Sequence, residues 1–193
     1  MTASAPTSDE TETPIIGVAG VILAMALTAI GNGLMFAYIP VSLGAGGYAP
    51  TWAGMILTGL SAGGIAGCLL TAWLVRRVGH ARAYMVFSAL IVLSNAAVGI
   101  GVDPIVWIVA RALYGFAICG MFVVAQSWLN DAVGNTIRGR VMAIFYVCYI
   151  VGLGVGSYLM GFLDISTAIA PLLGVAFTAI SILPVGLTRL RQP

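Results

Sequence analysis

The sequence predicts an all-α membrane protein of six transmembrane helices, and three observations carry that prediction. Charge is scarce: 61% of the 193 residues are apolar and 7% charged, where soluble domains carry roughly 25% charged residues, and the mean hydropathy is +1.08. Charge is also confined, since residues 13–75 hold none and further uncharged runs cover 83–102, 112–130, 141–163 and 165–188. Finally, the arginines alternate with the spans, as cytoplasmic loops require.

A span needs about 20 mostly apolar residues, so the first uncharged stretch must hold two, divided at "LGAGGYAPT", where glycines and a proline break the helix. Continuing along the chain, helices are expected near 15–42, 50–75, 81–101, 104–129, 138–161 and 166–187, making one bundle over 14–188. The acidic start, residues 1–13, lacks the basic region of a signal peptide and is expected to be a disordered cytoplasmic tail. Residues 189–193 are expected to be a cytoplasmic end or the start of a linker.

Arg76, Arg77 and Arg82 fall after the second span, Arg138 and Arg140 after the fourth, and Arg189 and Arg191 after the sixth, whereas the other side carries Asp103 and Asp164. Both termini are therefore expected in the cytoplasm, with the chain multi-pass in the cell membrane. The basic residues are loop anchors without interleaved aromatics, so the lipid bilayer is expected as a partner and nucleic acid is not. Cys68, Cys119 and Cys148 fall within spans without ligand spacing, which points to packing rather than to a metal or a disulfide. No metal or cofactor is expected.

Arg111 is the one charge inside a span. Arginine in hydrocarbon costs about 2.5–3.5 kcal/mol on insertion scales, so such a residue faces a bundle interior or a watery cavity, where its planar fork suits a carboxylate or phosphate. The same helix face holds Gly115, Ile118, Phe122 and Ala125, with Gln126 at its edge, and the first span places Thr28, Asn32 and Phe36 on one stripe. These residues (Arg111, Asn32, Thr28, Phe36, Gly115, Phe122 and Gln126) are the candidates for binding a small solute or coupling its movement. Tyr146 and Tyr149 are weaker candidates on the fifth span. No carboxylate lies deep in a span, and no serine, cysteine or carboxylate is visibly arranged with His80, the only histidine, so no enzyme is expected.

Gly59, Gly63 and Gly67 in the second span, and Gly152 and Gly156 in the fifth, recur every four residues and let another backbone approach closely. Gly154 and Gly161 supplement the latter set.

These features resemble the amino-terminal half of a major facilitator superfamily transporter. That family carries GxLxDRxGRR after its second helix, and "AWLVRRVGHA" places Leu74, Arg77 and Gly79 in register, with Ala72 for the first glycine and Arg76 for the aspartate. Arg111, Gly115 and Ala117 resemble its RxxxGxG-like motif; Gly152, Gly156 and Gly161 resemble GxxxGPxxGG, with Ser157 where proline is usual. "IGNGLMFAYIP", "RRVGHARAY" and "SWLNDAVGNTIRGRV" are similar to the YcaD-like group within it. The resemblance implies 3+3 inverted repeats and a cavity shared between two six-helix halves.

It further implies a secondary active transporter with Asn32 and Arg111 on the cavity. The glycine stripes of the second and fifth helices would meet a second six-helix half, supplied as a separate chain, a carboxy-terminal half or a second copy. The alternative is a transport-inactive subunit with a binding or assembly role. The charged turn, comprising Arg76, Arg77, Gly79, His80 and Arg82, is expected to serve as a cytoplasmic hinge, with Asp131 as the partner of Arg77.

Overall fold

In the computed structural model, which describes the backbone of residues 8–187 and the side chains of 16–186, the glycines and capping residues divide the chain where the hydropathy does. The helices are α1 (Ser8–Ala45), α2 (Thr51–Val78), α3 (His80–Gly99), α4 (Pro104–Ala132), α5 (Asn135–Leu159) and α6 (Ile169–Leu187), with a 3₁₀ turn at Met160–Phe162. All six are long and apolar enough to cross a membrane.

Each break has a local cause. Gly47, at φ 73°, ends α1, and the Tyr48 N–H returns to Leu43 O at 3.0 Å, a left-handed cap that glycine adopts without a Cβ penalty. Gly79, at φ 83°, is the whole break between α2 and α3. Before α4, the Asp103 carboxylate accepts from the Ile105 and Val106 N–H groups at 2.9 and 3.2 Å, and Pro104 fills the first helical position. Asp164 accepts from Ser166 N–H at 2.9 Å, a bond that holds its carboxyl below the usual range.

Boundaries differ from expectation where these caps act. α6 starts at Ile169 rather than near 166, because the Asp164–Thr167 turn takes up the chain first. α1 starts at Ser8, so part of the expected acidic tail is helical, and acidic residues suit the positive end of a helix. Residues 1–7, and the closing segment 189–193 with Arg189 and Arg191, lie outside the described residues.

α1 and α4 are central, with α5 and α6 packed on α1 and α2 and α3 packed on α4, while α3 and α6 close the ring. Exchanging α1–α3 with α4–α6 leaves this pattern unchanged, as a 3+3 repeat requires. Because equivalent helices are offset by three spans, an odd number, the second copy runs inverted. One core gathers Tyr84, Phe87, Tyr114, Trp128 and Phe145, and the other Leu34, Met35, Tyr38 and Trp107.

The glycine stripes correct one expectation. Gly59, Gly63 and Gly67 lie against the α4 carbonyls of Ile108, Ala112 and Phe116, and Gly152 and Gly156 against the α1 carbonyls of Ala26 and Ile30. They are spent inside this bundle and are not offered to a second half. Lipid is as apolar as leucine, so association within a membrane depends on close backbone packing, and the closest seams take the glycines. Gly154 and Gly161, by contrast, face open space.

Candidate functional site

The Asp103 cap starts α4 so that Arg111, two turns in, faces the bundle interior with 1% of its surface exposed. Its guanidinium carbon lies 4.1 Å from the centre of the Tyr114 ring, a cation–π contact set by i, i+3 spacing. Nη1 meets no hydrogen-bond partner, and among the described residues no Asp or Glu is buried. A desolvated cation with an unused donor is an unfavourable arrangement that an anionic ligand or a carboxylate would complete.

Arg111 lines a cavity of about 280 Å³ between α1 and α2. Met35, Phe36, Ile39, Ile56 and Leu60 supply apolar wall, and Arg111 is the one charged residue lining it. Phe36 is half exposed there.

Beside the arginine, Asn32 Nδ2 donates to Tyr149 Oη at 3.2 Å, while Asn32 Oδ1 meets no partner. Phe122 meets the Tyr149 ring edge-on at 4.4 Å between centroids, and Tyr149 lies within electrostatic reach of Arg111. Asn32 from α1 and Phe122 from α4 thus meet at Tyr149 of α5, while Arg111 and Tyr114, two to three turns back along α4, adjoin the cavity whose apolar wall α1 and α2 supply.

Arg111 and Phe36 therefore line one cavity, Asn32 and Phe122 meet at Tyr149, and three candidates belong to neither group. Thr28 is fully buried against α6, its single hydroxyl proton within reach of both Ala24 O at 3.1 Å and Ser181 Oγ at 3.0 Å, because at its level α1 packs on α6. Gly115 belongs to the α2 seam, where a Cβ would run into Leu60 O. Gln126 is roughly 22 Å farther along α4 at 1.5 Å per residue. Of the two weaker candidates, Tyr146 is exposed beside Phe145, whereas Tyr149 is buried and bonded to Asn32. Tyr114 was missed altogether; its signal was its position three residues after the buried arginine.

The charged turn is less open than the sequence implies. Arg76 and Arg77 occupy the last turn of α2, His80 and Arg82 the first turn of α3, and Gly79 alone is non-helical. Arg77 lies over the Trp73 ring one turn back at 5.4 Å, and Asp131 is exposed at the end of α4. The expected Arg77–Asp131 pair is not formed: among the described residues neither is in an ion pair, because the helical register turns Arg77 onto its own helix. Nor is His80 without a serine partner, since its Nε2 lies 3.1 Å from Ser127 Oγ, tying α3 to α4 beside Trp128.

Residues 19–193 match the sequence profile of the Major Facilitator Superfamily. The chain is 29% identical over 144 residues to the uncharacterized MFS-type transporter YcaD of Escherichia fergusonii, covering 73% of this chain and 37% of that protein. It is 30% identical over 112 residues to the protein of the same name from Salmonella arizonae, covering 58% and 29%, and 28% identical over 142 residues to that of an Escherichia coli strain, covering 72% and 37%. The matched stretch thus spans about a third of the length of these relatives.

Proposed function

Because this chain belongs to the major facilitator superfamily, we propose that it forms one six-helix half of a secondary active transporter that moves a small organic solute across the cytoplasmic membrane. Alternating access would come from rocking against a second half that completes the cavity. The partial coverage of its longer relatives supports that requirement. The arginine-bearing turns after α2 and α4 face the cytoplasm, which puts both termini there as well.

The observation that carries this reading is Arg111, which lines an otherwise apolar cavity and is buried with an unpartnered Nη1 and no carboxylate partner among the described residues. Arg111 binds an anionic group of the solute or pairs with a protonatable residue of the completing half. Asn32, held by Tyr149, orients the solute with its free carbonyl. Packing alone does not require such a group, since well-packed hydrophobic replacements of buried charges are often neutral or stabilising.

Uptake of a panel of radiolabelled carboxylates and neutral solutes into proteoliposomes tests this, with the chain alone and joined to a completing half. Uptake that is lost in Arg111→Ala with the fold retained is the expected result. Unchanged uptake removes Arg111 from the mechanism, and no uptake in any combination favours a transport-inactive assembly subunit.

A further inference from the structure

Cys68 on α2 and Cys119 on α4 line one groove of about 460 Å³, walled by Leu60, Ile65 and Leu69, with Ser61 its one hydroxyl. Both thiols are free and lie within interaction range of each other across the seam. Gly64 makes this approach work: a Cβ there would lie 2.9 Å from Cys119 Sγ, so the sulfur occupies room that a side chain would otherwise fill.

Two sulfurs alone select a narrow class of ligand. No group of three or more His, Cys, Asp or Glu suited to a metal exists among the described residues. Zinc, which takes four ligands, and the oxygen-seeking magnesium and calcium are therefore poorly served. A soft ion that accepts two thiolates is well served. Charge decides its valence. Two thiolates around a monovalent ion leave a net negative charge in an apolar groove, which is costly, whereas a divalent ion leaves a neutral unit.

We propose that Cys68 and Cys119 form a bidentate dithiol site for a soft, two-coordinate divalent cation, with mercuric ion as the probe. With mercuric chloride, two S–H and two Hg–Cl bonds break, two S–Hg bonds form, both protons and both chlorides pass to water, and nothing is oxidised or reduced.

The test uses the full chain in detergent micelles with Cys148→Ser as background, mercuric chloride as probe and excess free cysteine as competitor. Maleimide mass-tagging and the thiolate-to-mercury absorption band are the readouts. One equivalent is expected to protect both thiols, and Cys68→Ser or Cys119→Ser to weaken retention about a hundredfold, as expected when a second linked ligand is lost. Gly64→Ala keeps both thiols but displaces the Cys119 sulfur, and is expected to weaken retention too. Separate binding of one mercury per thiol, or equal retention by either serine variant, would overturn the proposal. So would silver ion held against the competitor as firmly as mercury.

Discussion

The α2–α4 and α1–α5 seams share one backbone design and carry different chemistry. In the first, Gly59, Gly63 and Gly115 face Ile108, Ala112 and Leu60 carbonyls; in the second, Gly152, Gly156 and Gly33 face Ala26, Ile30 and Leu153 carbonyls at the same relative spacings. That register aligns Arg111 with Ala29, Tyr114 with Asn32, Cys119 with Ala37 and Gly64 with Ser157. Ser157 donates to Gly33 O at 3.0 Å, while in the other seam the corresponding place holds no side chain and the Cys119 sulfur enters it. The scaffold is duplicated and the function is not. Small residues that bring backbones together are needed twice for packing, whereas a buried cation is unfavourable and occurs in one copy only.

The largest expected effect tests the shared design. Gly63→Leu and Gly156→Leu each force a side chain into a carbonyl, and each should destabilise by about 3 kcal/mol or more, beyond ordinary overpacking because backbone must move. Thermal melting in detergent measures this, with Gly154→Leu, at an open position, as a neutral control. Tolerance in one seam alone would end the equivalence.

Arg111→Leu sharpens the contrast from the functional side. It should leave stability unchanged or raise it by about 1–4 kcal/mol, since a desolvated charge without a partner is removed, while uptake is lost. A melting temperature that falls would mean the cation holds the fold together. Among polar ties, Tyr149→Phe and Ser157→Ala should each cost about 0.6 kcal/mol, the average for interhelical hydrogen bonds in membranes. Tyr149→Phe alone should also weaken uptake; equal transport defects in both would contradict the asymmetry.

The smallest effect is expected outside both seams. Arg77→Ala and Asp131→Asn should each change stability little, and their effects should add within about 0.5 kcal/mol in the double variant, because the two side chains make no ion pair. Coupling beyond that would show that they meet in another conformation.

Much of the architecture was legible beforehand, and the misses share a cause. The breaks at Gly47 and Gly79 and the Asp103 cap are chemically explicit in the chain, so helix ends there fell within a few residues of expectation. Arg111 and Asn32 stood out because a bilayer tolerates few polar groups. Thr28 and Gly115 were assigned to the cavity because they share a helix stripe with those residues. A stripe states which residues neighbour one another on a helix and is silent about what it faces, and here Thr28 met Ser181 while Gly115 met Leu60.

Span number, span length and the clustering of loop arginines follow from residue order alone, because hydrocarbon thickness and the exclusion of charge act on each segment separately. The destination of the glycine stripes, the Asn32–Tyr149 bond, the tyrosine under Arg111 and the meeting of Cys68 with Cys119 were decided only by how the helices pack. In water a helix shows its buried face by its hydrophobic period. In lipid the outer face is equally apolar, so that period carries little information and contact between backbones chooses the partner.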